Sequence, residues 1–219
     1  MLTYYKDFYV KKGNYMKKSI LFTLLIIALG LNLQAKNVDA SMLEKKGEIS
    51  YEKKTHEPFT GNAYYFFKSG KTKKVVPYYK GLIDGRLTEW RENGTVKTIA
   101  YFRKGKQDGE YIGTYSNGKK SIVAYYRDGK QEGEVATWYP NGKKKSSAYF
   151  KNDLLDGESK TWYDNGQLKS QSFYRNGKKS GIFKEWYKNG QLSAQAHYSD
   201  GKIIGGVQFW KEDGTLIAR

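Results

Sequence analysis

The chain has 219 residues, a formal net charge of +17, 24 glycines, 20 tyrosines and no cysteine. The absence of cysteine excludes disulfides, thiolate metal sites and a lipid-anchored cysteine. Two histidines, His56 and His197, leave little material for imidazole chemistry. Abundant glycine and aromatic residues with only three prolines are typical of many short strands joined by turns.

The N-terminal stretch is typical of an export signal. Two lysines follow Met16 and precede an almost uninterrupted apolar run over residues 20–33, with small residues after it. That run is shorter than the roughly 20 residues needed to span a bilayer, and the flanking residues match a secretory signal peptide. We therefore predict that residues 1–15 are an upstream extension, that Met16 is the true start and that residues 16–35 are the signal peptide.

Two cleavage positions follow from the small residues after the apolar run. Cleavage is predicted after Ala35 or after Ala40, and the sequence does not distinguish the two positions. Either would place the mature protein outside the cytoplasm, in the periplasm, at the cell surface or released. An uncleaved membrane anchor is the alternative interpretation.

Residues 36–60 are interpreted as a polar lead-in and an N-terminal cap. The stretch Gly47–Glu52 is predicted to form one strand. The stretch Lys53–Thr60 is predicted to be a loop, because Pro58 lacks a backbone donor and restricts Glu57 to extended geometry. Terminal units of repeat arrays are often atypical in this way.

Residues 61–219 repeat with a period of 24 residues and no insertion. A second glycine follows nine residues after the opening one, and a third follows at twenty, with Asp153 as the exception. Such a period indicates an array in which each unit buries its surface only against its neighbours. The seven opening glycines are Gly61, Gly85, Gly109, Gly133, Gly157, Gly181 and Gly205.

Each repeat carries two turn signals and no helical pattern. Asn-Gly pairs such as Asn117-Gly118 lie between aromatic-rich runs and predict two-residue hairpin turns with positive φ at both positions. The second turn, as in Arg103–Gly109, is predicted to be longer. The predicted fold is all-β: an elongated, single-layer, twisted antiparallel β-meander of seven 24-residue β-hairpin repeats, with about 14 strands.

The second strand of each repeat shows two different faces. Leu168, Ser170, Ser172 and Tyr174 share one face, so small residues lie between larger ones. The alternate positions are more polar but also end in an aromatic residue, Phe173. Repeated in register, these positions predict aromatic ladders across the strands, with a shallow trough of small residues between them.

The repeat pattern Asp-Gly-x-x-x-x-Trp-Tyr-x-Asn-Gly-x-Leu, clearest in Gly157–Lys179, resembles the bacterial variant of the MORN repeat. The resemblance covers residues 61–219, and the lead-in Glu57–Gly61 is similar to the start of exported members. It implies a scaffold, a membrane-associated module or a dimerisation element, the roles in which such arrays serve. Similar chains are often named YwqK-type antitoxins, which would imply an inhibitor or immunity protein that binds a toxin.

No catalytic motif emerges from the sequence. Gly113–Lys120 nearly spells a phosphate-binding loop, but it lacks a hydroxyl residue after the lysine and lies at a hairpin turn. Asp108, Glu132 and Asp156 recur before opening glycines at about 10 Å intervals, and we interpret them as turn residues instead of paired catalytic carboxylates. We therefore predict that the protein is not an enzyme and binds no cofactor or metal.

Aromatic pairs at the ends of the first strands are the predicted contacts with a protein partner. Tryptophan and tyrosine are frequent interface anchors, although packing between strands is the alternative explanation. Thr114 interrupts the tryptophan row in the third repeat. The predicted partner-binding residues are Trp138, Tyr139, Trp162, Tyr163, Trp186 and Tyr187.

The positive charge predicts a second class of partner, an anionic lipid or envelope polymer. The alternative is a solvated surface whose lysines keep strand edges soluble. Nucleic acid is not expected, because the chain is predicted to be exported. The predicted polyanion-binding residues are Lys119, Lys120, Lys143, Lys144 and Lys145.

Overall fold

The computed structural model describes residues 36–218. The predicted upstream extension and signal peptide therefore lie outside the described residues. Among the residues that are described, no helix is long and apolar enough to cross a bilayer.

The segment before the array forms three short strands. These are β1 (Asn37–Asp39), β2 (Leu43–Lys46) and β3 (Ile49–Glu52), with a 3-10 turn over Ala40–Met42. Strands β2 and β3 make an antiparallel hairpin, and the single strand predicted over Gly47–Glu52 is present only over Ile49–Glu52, because Gly47 and Glu48 form the turn. Strand β1 instead pairs in parallel with β4 (Gly61–Phe66). The sequence did not predict this pairing, which is possible because the chain returns through the β2–β3 hairpin.

The array begins at β4 and continues as a meander to the last described residue. The remaining strands are β5 (Thr72–Tyr79), β6 (Leu82–Ile83), β7 (Gly85–Trp90), β8 (Val96–Arg103), β9 (Lys106–Thr114), β10 (Lys120–Arg127), β11 (Lys130–Gln131), β12 (Gly133–Trp138), β13 (Lys144–Lys151), β14 (Leu154–Trp162), β15 (Leu168–Arg175), β16 (Lys178–Lys179), β17 (Gly181–Trp186), β18 (Leu192–Ser199), β19 (Lys202–Trp210) and β20 (Leu216–Ala218). When β6–β7, β11–β12 and β16–β17 are each taken as one interrupted strand, every strand of the array pairs antiparallel with the next along the chain, so the predicted all-β meander of hairpins is confirmed.

The strand count also agrees with the expectation. Strands β6, β11 and β16 each continue into the following strand across one residue. Counting each such pair as one strand gives 14 strands from β4 to β20. The two strands of a repeat therefore form a hairpin, and each hairpin pairs with the next.

The lengths of the two turns are the reverse of the prediction. The tight two-residue turn is Lys104-Gly105, where both φ angles are positive (49° and 81°) and Arg103 pairs with Lys106. The Asn-Gly pair lies instead in a longer loop over residues 115–119, between the paired residues Thr114 and Lys120.

The asparagine side chain accounts for the longer loop. The Oδ1 atom of Asn117 accepts a hydrogen bond from the N–H of Lys119 at 3.0 Å. This local ring holds the asparagine in an ordinary negative-φ turn, so only Gly118 has a positive φ, of 80°. The N–H of Gly118 in turn donates to the carbonyl of Tyr115 at 3.0 Å.

Most of the buried positions of the sheet are occupied by small residues. Ala100, Ala124 and Ala196 are buried, and each lies directly opposite a larger side chain, as Ala124 lies opposite Tyr111 and Ala196 opposite Phe183. At the N-terminal end, Val38, Phe59 and Ala63 form a separate buried cluster. The array is therefore stabilised by contacts between neighbouring strands.

Candidate interaction surface

Strand alternation gives the sheet two faces, and they carry different residues. The first face is defined here by the buried small residues Ala100, Ala124, Ser172 and Ala196. The second face is defined by the residues next to them in sequence, such as Tyr125 and Phe173. Residues directly opposite each other in an antiparallel pair project to the same face, which extends this assignment from strand to strand.

The predicted tyrosines Tyr139, Tyr163 and Tyr187 hold successive repeats together. Each hydroxyl donates a hydrogen bond at 2.8 Å to a backbone carbonyl one repeat further along, that of Trp162, Trp186 or Trp210 respectively. The Tyr115 hydroxyl bonds to the carbonyl of Trp138 in the same way at 2.6 Å. These rings are half-buried. The tyrosine therefore recurs in successive repeats because its hydroxyl bonds each repeat to the next.

The predicted tryptophans lie on the second face. The Nζ atom of Lys144 is 5.5 Å from the ring centroid of Trp162 and 3.1 Å from a carboxylate oxygen of Glu134. Glu134 is directly opposite the second-face residue Tyr149. Trp138, Trp162 and Trp186 are all half-buried. Each tryptophan and the tyrosine after it thus belong to opposite faces.

Thr114 replaces tryptophan in the third repeat, and the residue that contacts it from the preceding repeat is also different. Arg91 occupies the place of the tyrosine in the preceding repeat. Its guanidinium donates to the side-chain and main-chain oxygens of Thr114 and, at 3.0 Å, to the carbonyl of Val96. An arginine–threonine contact therefore replaces the tyrosine-to-tryptophan bond at this junction.

The five predicted polyanion-binding lysines do not form one patch. Lys119 and Lys143 donate to the carbonyls of Asn141 and Asn165, one repeat further along, at 2.9 and 2.7 Å. Lys144 is paired with Glu134 on the second face, as described above. Lys145 lies 5.8 Å from the Tyr139 ring, and Lys120 is exposed.

The recurring acidic residues stabilise the tight turns. A carboxylate oxygen of Glu132 accepts a hydrogen bond from the N–H of Asn152 at 3.1 Å, and Asp156 accepts one from Asn176 at 3.4 Å. Asp108 accepts from Asp128 at 3.5 Å. Asp108 and Asp156 themselves lie inside β9 and β14, so they are not turn residues as predicted; their carboxylates bond instead to a tight turn 20 residues further along. Among residues 36–218, no three histidine or acidic side chains are grouped closely enough to hold a metal ion.

The most exposed repeated aromatic residues form a row that the site prediction did not include. They lie near the end of each second strand, on the second face. Their recurrence every 24 residues is the sequence signal that identifies them, whereas strand alternation alone identifies Phe173 only as the aromatic end of the more polar set of positions. The row, called the aromatic stripe below, consists of Tyr101, Tyr125, Tyr149 and Phe173, which are 38%, 46%, 47% and 42% exposed.

Glutamates alternate with three members of the aromatic stripe. Glu110 is directly opposite Tyr125, Glu134 is opposite Tyr149 and Glu158 is opposite Phe173. The Tyr125 hydroxyl donates to a carboxylate oxygen of Glu110 at 3.2 Å. The Glu110 charge, with a smaller contribution from Glu134, raises the pKa of Tyr125 above its usual value.

The second face therefore has two aromatic rows, and the residues between them differ along the array: Val123 and Ala136 in one place, Lys160 and Gln171 in the next. The aromatic stripe lies on one side and the tryptophan row lies on the other. Val123 and Ala136, which are directly opposite each other, are buried between the rows. The trough of small residues expected along Ser170 and Ser172 belongs to the first face, where Ser172 and the equivalent Ala124 and Ala196 are buried.

Comparison with protein-family models matches the MORN repeat variant at residues 131–152, 155–176 and 179–200. Residues 131–200 therefore carry MORN-variant repeats. Comparison with curated proteins found no match to the chain. The matched units contain the tyrosine-to-tryptophan ladder from Tyr139 to Trp186 and two of the four residues of the aromatic stripe, Tyr149 and Phe173.

Proposed function

We propose that this repeat protein is a non-enzymatic scaffold that is exported and binds a protein partner in the cell envelope. MORN-variant repeats commonly mediate protein interactions, which supports the general role. The signal-like sequence before residue 36 supports export. The partner-contact surface is the second face, centred on the aromatic stripe.

The observation that carries this proposal is the exposure of the aromatic stripe. Large aromatic side chains that remain in contact with water, in a row, are typical of interaction surfaces. The rings of Tyr139, Tyr163 and Tyr187 are less suited to this role, because their hydroxyls already bond to the next repeat. The opposite border of the second face is formed by Trp138, Trp162 and Trp186.

Capture of the partner from native cells tests this proposal. Tagged protein is crosslinked in intact cells, and the wild-type chain is compared with the triple variant Tyr125→Ala, Tyr149→Ala and Phe173→Ala. We expect one dominant protein at near-equal stoichiometry with the wild type and its loss with the variant. The matched control is Lys97→Ala with Lys169→Ala, which changes exposed positions on the first face. Capture that survives the aromatic substitutions but not the control would contradict the proposal.

Adhesion to an anionic lipid or envelope polymer is a second candidate, favoured by the net charge of +17 and the exposed Lys120. It predicts recovery in a membrane or polymer fraction that added salt releases. Replacing Lys119, Lys120, Lys143, Lys144 and Lys145 with glutamine would then abolish recovery, while the aromatic variant would retain it. A toxin as the single captured protein would identify the scaffold as an immunity-type inhibitor.

A further inference from the structure

Aromatic and acidic side chains alternate regularly along the aromatic stripe, and their spacing limits which partner segments it can bind. Neighbouring strands are about 4.8 Å apart, so successive aromatic residues, two strands apart, repeat at about 9.6 Å. One carboxylate lies between each successive pair. Across β9, β10 and β12 to β15 the side chains are Glu110, Tyr125, Glu134, Tyr149, Glu158 and Phe173.

The stripe contains three carboxylates, although the whole chain is basic and an exposed basic residue follows each stripe aromatic two positions later on the same face: Arg103, Arg127, Lys151 and Arg175. Glu110 has a hydrogen bond from Tyr125 and no ion pair with any of the described residues. Glu134 and Glu158 contact Lys144 and Lys160 at 3.1 and 2.7 Å, in pairs that are partly exposed. Exposed pairs of this kind contribute little and exchange readily, so a cation from a partner can replace either lysine.

The spacing favours one backbone conformation for a segment lying along the stripe. A polyproline II helix has three residues per turn and rises about 3.1 Å per residue, so every third side chain returns to the same side after about 9.3 Å. A β-strand covers a similar distance in three residues, but residues i and i+3 then point to opposite sides. Of these two conformations, the polyproline II segment is the one that presents a side chain to every glutamate.

We propose that the aromatic stripe binds a polyproline II segment of a partner protein that carries a lysine or arginine at every third position. Each basic side chain lies between two aromatic rings and reaches the glutamate there, where ring and carboxylate both attract a cation. Proline residues between the basic positions pack on the rings, as in other aromatic-lined grooves. This inference rests on the proposed scaffold function and specifies its partner.

Synthetic peptides test the inference without knowledge of the partner. Fluorescence anisotropy measures binding of the full-length chain to a labelled peptide of repeated Lys-Pro-Pro units, and to peptides of repeated Glu-Pro-Pro and Lys-Pro-Pro-Pro units. Because the chain is strongly basic, general electrostatics favour the acidic peptide. We expect the reverse order, with Lys-Pro-Pro bound about tenfold more tightly than either alternative.

Charge-removing variants locate the site. The triple substitution Glu110→Gln, Glu134→Gln and Glu158→Gln is expected to weaken Lys-Pro-Pro binding by about tenfold, since the shape is kept and the charges are lost. The control Glu89→Gln with Glu185→Gln, on the first face, is expected to leave binding unchanged.

Absence of Lys-Pro-Pro binding, or binding that the triple variant retains, would overturn the inference. Equal binding of Lys-Pro-Pro and Lys-Pro-Pro-Pro would overturn the three-residue register. Either result is distinct from failure of the scaffold proposal. A partner captured from cells through Tyr125, Tyr149 and Phe173 would leave that proposal standing.

Discussion

The hydroxyl of Tyr163 donates a hydrogen bond to the backbone carbonyl of Trp186 at 2.8 Å, across the boundary between two repeats. The donor belongs to the loop after one first strand, and the acceptor lies at the end of the first strand of the next repeat. The same bond recurs at the neighbouring boundaries. Successive repeats are therefore joined by the tyrosine that follows the last residue of the first strand, at positions 115, 139, 163 and 187.

Removing one of these hydroxyls should weaken the array. Tyr163→Phe keeps the ring and deletes the bond to the Trp186 carbonyl, so we expect a loss of about 1 kcal/mol in the free energy of unfolding. Urea denaturation measures the change. The control is Tyr149→Phe, where the hydroxyl has no hydrogen-bond partner among the described residues, and the expected change is within about 0.5 kcal/mol. Equal losses in the two variants would contradict the role of the ladder.

The opening glycines should differ in their tolerance of alanine. Gly157 has a φ of 128°, and an added Cβ would be 3.0 Å from the Cβ of Tyr149. Gly133 has a φ of 78° and no atom within 4 Å of an added Cβ. We expect Gly133→Ala to cost about 1–2 kcal/mol of stability and Gly157→Ala roughly 3 kcal/mol or more. Thermal or urea unfolding compares the two, and the reverse order would contradict the described packing.

The first described strand distinguishes the two predicted cleavage positions. Val38 is buried against Phe59 and Ala63, and β1 pairs with β4, so cleavage after Ala40 would remove a strand of the fold. We predict that the exported chain begins at Lys36. A chain starting at Ser41 should be less stable than one starting at Lys36 by at least about 1.5 kcal/mol, from the exposure of apolar surface alone.

Two measurements check this prediction. Unfolding of the two purified chains gives the difference in stability, and N-terminal sequencing of exported protein gives the natural start. An exported chain that starts at Ser41 and is equally stable would show that β1 is dispensable.

Alkaline pH should weaken the N-terminal end of the array through Tyr65. Burial, with further contributions from Tyr78, raises the pKa of Tyr65 from 10.0 to about 12. The folded protein thus favours the neutral phenol, and this stabilisation is complete below pH about 10 and is lost as the pH rises to about 12. Stability measured against pH should fall less steeply over this window in Tyr65→Phe than in the wild type. Parallel curves would contradict the shifted titration.

Much of the fold could be predicted because the same 24-residue pattern occurs in seven copies. The glycine period identified the units, and alternation along Ser170–Tyr174 assigned the faces, but a bulge before Ser170 puts Leu168 opposite Trp162 on the other face. The turn lengths could not be predicted, because an Asn-Gly pair suits both a tight turn and a longer loop. The Asn117 side chain selects the loop by bonding to the N–H of Lys119. A three-residue strand such as β1 carries too little pattern to be recognised.

The candidate site was predicted only in part, because exposure depends on neighbours that the sequence does not identify. Tyr125 and Tyr126 are adjacent and equally aromatic. Tyr126 receives a long hydrogen bond of 3.4 Å from Gln131 and is half-buried, whereas Tyr125 remains exposed beside Glu110. Similarly, Trp162 and Tyr163 have the composition of an interface pair, but the Tyr163 hydroxyl is already used between repeats.

Site-specific photocrosslinking in native cells tests the central claim most directly. A photoreactive side chain is placed at Tyr125 or Tyr149 on the aromatic stripe, and at the exposed Lys169 on the first face as the control. The scaffold account predicts a crosslink from both stripe positions to one protein, at near-equal stoichiometry, and none from the control. Crosslinks from position 169 alone, or recovery only in salt-released membrane or polymer material, would contradict it.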